Sequence, residues 1–535
     1  MRKLLALLPL LLVAFQAGSA PAAVAPPRLL GLSISNGGHP FLGDTRQLAT
    51  VSPNGDGLRD RALVRFHLDG PATVQLQVVA TGELGRPSKI VWRTRRRLAA
   101  GPHELVWKPG RGTPDRTYLL RFVVRGRDGG SRVYGFEHPR PGRPTSGLVV
   151  RILAVDAAFL QRSYAQGAQA SVSIATDARS LRVQFFAYPG AASSGDVDPK
   201  TGAVAMTSAV TLDWRGHRNG PHAVDLGGSD SWPSGLYFLR VTTTDRRTGY
   251  APLILRLRRL GGHRVAVVLP TNSWQAENLR DVNGDGWGDS WNSDGATRSV
   301  DLRRPYLDAG LPPRLRAGSG DVLAWLAQTG KRADYLSDDD FSSVANGDAL
   351  RRAYDLLVFP GSEELISSHA YDVIRRYRDL GGRLMFLSAG NFHWRAERHG
   401  ASLRRLQAWR RLGRPEAALV GVQYSASTAA GGGKAYVVQG ALSEPWVFDG
   451  TGLLNGSSFG RSGAEIDSRA PSSPAGTVVL ARTPRAIGRH AAEMTFYETG
   501  AGARVFAAGA LDFGGSIDLP AVGRLVENVW ARLAS

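Results

Sequence analysis

The chain has 535 residues, 66 Lys and Arg against 46 Asp and Glu, a formal net charge of +20, and no cysteine. This length exceeds what one hydrophobic core supports, so about three domains are expected. The absence of cysteine excludes disulfides, thiolate nucleophiles and cysteine metal ligands together. The positive charge does not predict a nucleic-acid partner, because it is Arg spread along an Ala- and Gly-rich chain; attraction to anionic cell-wall polymers stays open.

Residues 1–25 have the layout of a secretory signal peptide. Arg2 and Lys3 give a positive start, residues 4–15 form an apolar run, and small residues follow. The run is shorter than the roughly 20 residues that span a bilayer, and no later stretch is long and apolar enough. We therefore expect a secreted or cell-surface protein with no membrane span once the signal is removed; a retained N-terminal anchor is the alternative.

Two stretches, 46–140 and 146–258, have the pattern of β-sandwich modules. Short alternating segments separated by turn residues predict strands in the first module at 62–68, 73–79, 103–107 and 118–124. Regular strand spacing of this kind is typical of a sandwich. Neither module shows a convergent set of His, Asp and Ser, so we interpret both as structural.

The first of these modules has a specific resemblance. Ser-Pro-Asn-Gly-Asp-Gly at 52–57, followed by Asp60 and later by Trp107, resembles an Ig-like module of the flagellar-hook-cap type. Such modules act as spacers or adhesion units in exported bacterial proteins. Pro-Gly-Arg-Pro at 141–144 then predicts a stiff linker to the second β module.

From about residue 262 to 535 the pattern changes to that of an α/β domain. Continuous apolar runs, typical of strands buried on both faces, occur at 265–269, 356–359, 384–387 and 505–508. Apolar residues at spacings of three and four predict helices over 366–380 and from about 518 to 533. Alternating strands and helices predict an open, mostly parallel sheet, whose ligands bind beyond the carboxyl ends of the strands.

The sharpest local motif resembles a calcium loop. Its oxygen donors stand at loop positions 1, 3, 5, 7 and 9, with Gly286 at position 6, and the expected ligands are Asp281, Asn283, Asp285, the Trp287 carbonyl and Asp289. Asn292 occupies position 12, where a bidentate Glu is usual. The motif therefore predicts a weak calcium site, and a metal-free Asx turn is the alternative.

A series of motifs after residue 261 carries a wider resemblance. They are Leu-Pro-Thr-Asn-Ser-Trp-Gln-Ala at 269–276, Val-Asp-Leu at 300–302, Arg-Pro-Tyr at 304–306, Val-Phe-Pro-Gly at 358–361, Asn-Phe-His-Trp at 391–394, Trp-Val-Phe at 446–448, Gly-Thr-Gly at 450–452 and Gly-Ala-Glu-Ile-Asp at 463–467. In this order, over about 232–535, they resemble the C-terminal domain of the N,N-dimethylformamidase large (beta) subunit.

The resemblance implies a glutamine-amidotransferase-like α/β fold, and hydrolysis of a small amide at a mononuclear iron held by two tyrosines and a glutamate. The catalytic candidates it implies in this chain are Glu465, Glu364 and Tyr335. The family's Gly-His-Asp-Glu-Tyr-Trp reads Gly-Ser-Glu-Glu-Leu-Ile at 361–366, and Glu277 and Ala464 stand where tyrosines are common.

Two hypotheses follow. One is a metal-dependent hydrolase of amide C–N bonds, with iron as cofactor. The other is a non-catalytic, calcium-stabilised surface protein that keeps the fold without the chemistry.

Overall fold

A computed structural model describes residues 26–82, 87–135, 147–189, 196–228, 230–293, 297–428 and 433–535. The predicted signal peptide at 1–25 and the predicted linker at 141–144 lie outside the described residues. The described chain is mostly β and forms three units in sequence order. No helix among these residues has the length and apolar character to cross a membrane.

The first unit contains two sheets that share one core. Its strands are β1 (Leu29–Ser35), β2 (Leu48–Val51), β3 (Ala62–Leu68), β4 (Ala72–Ala80), β5 (Lys89–Leu98), β6 (Gly101–Trp107), β7 (Thr117–Arg125), β8 (Ser131–Tyr134) and β9 (Leu148–Ile152). One sheet has the order β1-β3-β6, and the other has the order β2-β9-β7-β4-β5 with β8 beside β7. Alternate side chains of the facing strands, such as Val64 and Val74, enter the shared core.

The four strands predicted in the first module correspond to β3, β4, β6 and β7. One strand falls on the other side of the predicted boundary. Although β9 follows the Pro-rich segment, it pairs with β2 and β7 of the first unit. Its Val150 and Ile152 belong to the first core. The first unit therefore extends to residue 152, beyond the Pro-rich segment.

The second unit has the same two-sheet plan. Its strands are β10 (Asp156–Phe159), β11 (Ser163–Ala165), β12 (Ala170–Ala175), β13 (Ser180–Tyr188), β14 (Val204–Ala205), β15 (Val210–Asp213), β16 (His222–Leu226), β17 (Gly235–Thr243) and β18 (Thr248–Arg256). The sheets have the orders β10-β12-β16 and β11-β18-β17-β13-β14, with β15 beside β13. Val172, Leu239 and Trp214 are buried in the core between them.

The third unit is built on a nine-stranded sheet with helices on both faces. Its elements are β19 (Val265–Leu269), α1 (Thr271–Glu277), β20 (Ser299–Asp301), α2 (Asp321–Gln328), β21 (Asp334–Ser337), α3 (Asp338–Ser343), α4 (Gly347–Ala353), β22 (Leu356–Phe359), β23 (Leu365–Ile366), α5 (Ser368–Asp379), β24 (Arg383–Phe386), β25 (Trp394–His399), β26 (Ser402–Ala408), α6 (Ala417–Val420), β27 (Gln423–Ser427), β28 (Tyr436–Val438), α7 (Pro445–Phe448), β29 (Ser458–Phe459), β30 (Glu465–Ser468), β31 (Val478–Arg482), β32 (Glu493–Glu498), β33 (Arg504–Ala507) and α8 (Pro520–Ala534).

The order of the large sheet is β21-β19-β22-β24-β33-β32-β31-β28-β29. The five strands from β21 to β33 are parallel, and they include every strand predicted for this domain. Helices α2 and α8 pack on one face of the sheet, and α4 and α5 pack on the other.

The prediction of a mostly parallel sheet is correct for those five strands only. Strands β28, β29, β31 and β32 are antiparallel. Chain segments without a long helix connect them, and a parallel pair requires a crossover that such segments do not provide.

Candidate functional site

Three glutamates converge at the carboxyl ends of the parallel strands, and we call them the glutamate crevice. Glu277 is the last residue of α1, the helix that follows β19 directly. Glu364 follows β22 by five residues. Glu465 begins β30, which is held to the segment that follows β33 because Leu511 N donates to the Glu465 carbonyl at 3.0 Å.

Burial and mutual repulsion raise the pKa of these carboxyls. For Glu364, burial is the main cause and the negative charge of Glu277 the next, and together they raise the pKa to about 7. Burial, followed by the charge of Glu364, raises the pKa of Glu465 well above its ordinary value. Burial also raises the pKa of Glu277. The three carboxyls therefore act on one another, and they cannot all be ionised near neutral pH without a large electrostatic cost.

Two arginines partly balance this charge. Arg314 Nε lies 3.1 Å from Glu277 Oε2. The backbone of Arg314 has a φ of +56°, in the left-handed region that non-glycine residues seldom adopt. Arg405 acts on Glu364 and lies 4.8 Å from the ring centre of Trp394. The strained backbone at Arg314 marks a position that the surrounding structure must enforce.

Gly390 provides the space that Glu465 occupies. A Cβ at residue 390 would lie 2.2 Å from Glu465 Oε1, and the φ of +73° also favours glycine. The Gly390 N–H donates to both carboxylate oxygens of Asp467 at 3.0 Å. Burial raises the pKa of Asp467 to about 7. The loop after β24 is thus shaped around the acidic residues of β30.

Tyr335, the third residue implied by the resemblance, is not part of the crevice. It lies inside β21, with its backbone N–H donating to Ser234 Oγ at 2.8 Å. Its pKa is raised to about 12 by burial, and no crevice glutamate contributes to that increase. The phenol contacts the hydrophobic core and acts on Tyr237 of the second unit instead.

The sequence reasoning missed a second acidic pair at these strand ends. Glu363 is 2 % exposed, and no N–H or hydroxyl donor reaches either carboxylate oxygen. Burial and the charge of Asp338 raise its pKa well above the ordinary value. Asp338 accepts hydrogen bonds from Thr271 Oγ1 at 2.8 Å and Asn272 N at 2.7 Å. A protonated Glu363 that donates to Asp338 accounts for all of these contacts.

The predicted calcium loop is closed by hydrogen bonds of its own. Asp281 accepts from the N–H groups of Gly284 and Gly286 at 2.7 and 2.8 Å. Burial, together with the charges of Asp281 and Asp289, raises the pKa of Asp285 to about 6. These contacts are those of consecutive Asx turns, which hold the carboxylates of the loop close together.

The described residues do not fit the iron centre implied by the resemblance. The crevice offers three carboxylates and an ion-paired arginine, and the phenol of Tyr335 lies outside it. Within the described part of the chain, which includes the whole of 281–289, no three or more His, Asp or Glu side chains are placed to hold a metal ion. Tyr335, the phenol implied by the resemblance, lies outside the crevice, and Glu277 and Ala464 stand where tyrosines are common in the family.

A cleft of about 1170 Å³ between the first and third units leads to the crevice. Glu277 and Arg314 line this cleft, and the same two residues line the narrow space at the strand ends beside Ser362 and Ser388. The cleft and the strand ends therefore meet at the Glu277–Arg314 pair.

The fold and the site define a multidomain β protein with an acidic crevice on a mixed sheet. The sequence profile of the family described as N,N-dimethylformamidase beta subunit-like, C-terminal, matches residues 193–528. The match covers more than half of the chain, so the protein belongs to this family. It begins within the second unit, earlier than the motifs indicated, and leaves the first unit outside. No curated protein matches the chain.

Several solved structures match parts of this chain. Trypsin-activated alpha-2-macroglobulin from Escherichia coli has 11 % identity over 43 % of this chain and 17 % of its own, with a TM-score of 0.23. The Yersinia pseudotuberculosis adhesin InvE has 16 % identity over 39 % and 56 %, with a TM-score of 0.15. Dimeric latent PorU from Porphyromonas gingivalis has 10 % identity over 43 % and 20 %, also with a TM-score of 0.15. The chain thus spans well under two thirds of each protein.

Proposed function

We propose that the protein is a hydrolase of amide C–N bonds that uses the carboxyl groups of Glu364 and Glu465 as its acid–base pair. The observation that carries this proposal is their convergence, with pKa values raised, at the strand ends next to a large cleft. Raised pKa values in a cleft are typical of functional sites. Membership of an N,N-dimethylformamidase-related family supports the reaction class.

The chemistry follows from the different proton affinities of the two groups. Near neutral pH, Glu364 is partly ionised and can accept a proton from the water that attacks the amide carbonyl. Glu465 keeps its proton and can donate it to the leaving nitrogen. The C–O bond forms, the C–N bond breaks, and the products are a carboxylic acid and an amine. The Arg314 guanidinium would donate to the carbonyl oxygen as negative charge develops there.

Iron is not included in this proposal, because Tyr335 lies outside the crevice and Glu277 and Ala464 stand where tyrosines are common in the family. The finer folds that the sequence suggested remain proposals as well. These are Ig-like modules for the two β units and an amidotransferase-like arrangement for the third unit. The parallel half of the sheet and the helices on its two faces support the latter.

The test is amine or ammonia release from formamide, N,N-dimethylformamide, N-methylacetamide and longer N-methylamides, between pH 5 and 9. We expect the rate to rise with pH through about 7 as Glu364 ionises. Glu364→Gln and Glu465→Gln should each lower kcat/KM at least about a hundredfold, as removal of a general acid or base does.

The control is Glu104→Gln, which removes an exposed carboxyl of β6 that pairs only with the exposed Arg65. Its activity should equal that of the unmodified protein. Full activity of Glu364→Gln, or no release from any amide by the unmodified protein, would contradict the proposal.

A second candidate is a calcium-stabilised surface protein without catalysis, and one observation favours it. The loop at 281–289 contacts the first unit, because Thr81 Oγ1 donates to the Gly286 carbonyl at 2.6 Å and Gly284 lies against Leu48. An ion in this loop would stabilise the junction of the two units. Export to the cell surface, suggested by residues 1–25, belongs to this candidate and to the first alike.

This candidate is tested by calorimetric titration of calcium into chelator-treated protein. Binding heat that Asp285→Asn abolishes would support it. The absence of heat would identify the loop as a metal-free turn.

A further inference from the structure

The wall of the large cleft comes from two units of the chain. The first unit contributes Val91 and Trp92 from β5, and the third contributes Leu307, Leu311 and Pro313. Val91 is 44 % exposed, although it is a β-branched residue on a strand that could have faced a core. The middle of the cleft is therefore an apolar surface left open to water, as is typical of ligand sites.

Polar contacts fix the relative position of the two walls. Arg280, which follows α1, binds Asp115 of the first unit at 3.4 Å and also Asp156 of the second. Arg116 Nη2 donates to the Thr81 carbonyl at 3.0 Å, beside the hydrogen bond from Thr81 to the acidic loop. The cleft is a built feature of the assembled chain, because its two sides are tied at this junction.

The charged residues that line the cleft come from both units. The third unit contributes the Glu277–Arg314 pair of the crevice. Toward the first unit the cleft is lined by Lys89 and Lys108, both exposed and neither in an ion pair with another described residue. The other acidic lining residues, Asp308 and Asp115, are themselves paired, with Lys200 at 3.0 Å and with Arg280 at 3.4 Å. Free positive charge therefore lies in the part of the cleft contributed by the first unit.

The volume of the cleft is informative about the size of the ligand. About 1170 Å³ exceeds the roughly 300–1,000 Å³ of ordinary small-molecule pockets. A substrate as small as a formamide would leave the apolar wall and both lysines in water. A longer molecule could contact the wall, the lysines and the crevice at once.

We propose that the cleft binds an elongated amide whose apolar body lies along Trp92 and whose far end carries an anionic group at Lys89 and Lys108. The amide group then reaches the Glu277–Arg314 pair. This inference rests on the proposed function for its reaction, since it names the substrate class of the same crevice. The first unit is thereby part of the substrate site and not a spacer.

The experiment measures binding of the mono-N-methylamides of adipic, suberic and sebacic acids to the full chain by calorimetry. The neutral comparison is N-methyloctanamide, which has the chain length of the suberic compound and no carboxylate. We expect the anionic compounds to bind about fivefold or more tightly than the neutral one, with a best chain length in the series, because an added charge-assisted contact contributes about 1–2 kcal/mol.

The variants separate charge from shape. Lys89→Ala and Lys108→Ala should each weaken binding of the anionic compounds and leave that of N-methyloctanamide unchanged. Trp92→Ala should weaken both. Arg65→Ala removes an equal positive charge from β3, outside the cleft, and should change neither. Thermal unfolding of each variant shows whether it is folded.

The outcomes distinguish the two proposals. Lysine-dependent binding of the anionic amides without amine release would support the substrate site and contradict the hydrolase. Release of amine from small neutral amides, with equal affinity for anionic and neutral long amides, would support the hydrolase and overturn this inference. The absence of any binding to the long amides would overturn it as well.

Discussion

Replacing Glu364 by Gln is expected to stabilise the fold above pH 7 and to leave its stability nearly unchanged at pH 4. In the unfolded chain this carboxyl ionises near its ordinary pKa of 4.5, whereas in the folded chain it keeps its proton until about pH 7. Unfolding therefore releases a proton between these two values. The free energy of unfolding falls by up to about 1.4 kcal/mol for each pH unit in that window.

The size of the effect follows from the width of the window. Between pH 4.5 and about 7, the free energy of unfolding falls by about 3 kcal/mol in total, and it falls no further above pH 7. Since the side chain keeps some contact with water, we expect about 2–3 kcal/mol. Gln has nearly the shape of a neutral Glu and does not ionise, so the variant avoids this loss. The variant also lacks the negative charge of Glu364 that repels Glu465, and this too should increase the stability of the variant above pH 7.

The assay is urea unfolding of both proteins at half-unit steps from pH 4 to 9. The difference between the two unfolding free energies should be near zero at pH 4, grow through pH 5–7 and become constant above about pH 7.5. Glu104→Gln, at an exposed site, should give a flat difference. Parallel stability curves for Glu364→Gln and the unmodified protein across the whole range would refute the reasoning.

Three further changes test other parts of the structure. Arg280→Ala removes the cation that Asp115 and Asp156 share, and we expect a loss of about 3 kcal/mol in urea unfolding above pH 8. The loss should be smaller below pH 8, because the pKa of Asp115 is raised to about 8 and this carboxyl is then neutral. Gly390→Ala places a methyl group 2.2 Å from Glu465 Oε1 and should lower amide hydrolysis at least tenfold, as a steady-state assay would show; wild-type activity would contradict the described packing. Asp285→Asn keeps an oxygen for the Trp287 N–H, removes one of the repelling carboxylates of the acidic loop and should raise the unfolding temperature in chelator, whereas with calcium present a lower one would indicate an occupied metal site.

The sequence predicted elements better than it predicted the site. Runs such as 356–359 and the helical spacing over 366–380 correspond closely to β22 and to α5 (368–379), because buried parallel strands and amphipathic helices have strong local patterns. The antiparallel half of the sheet has strands of two to six residues. Such short strands are determined by their neighbours more than by their own sequence.

The candidate site shows the same contrast. Glu364 and Glu465 were identified through the resemblance and do come together. Tyr335 was carried over in the same way and lies elsewhere, because its position within β21 turns its ring toward the core and Tyr237. Glu277 was noted only as a replaced tyrosine. Its place beside Arg314 depends on a backbone φ of +56° that no local pattern encodes.

No sequence pattern predicted the large cleft. Its apolar wall comes from β5 and from residues near 310, which are about two hundred positions apart. The sequence of β5, apolar at 90–92 and basic at 93 and 95–97, does not show whether its exposed face meets water or a ligand. Only the packing of the first unit against the third distinguishes the two.

The return of β9 to the first unit has a consequence for dissecting the molecule. This strand lies between β2 and β7, so a fragment ending at residue 140 would lack the strand that joins them. The complementary fragment, starting at 146, would carry that strand with its apolar side chains uncovered. The two pieces should each aggregate when expressed alone and recover a native-like fold when mixed. The domain boundary predicted from the sequence therefore divides a sheet.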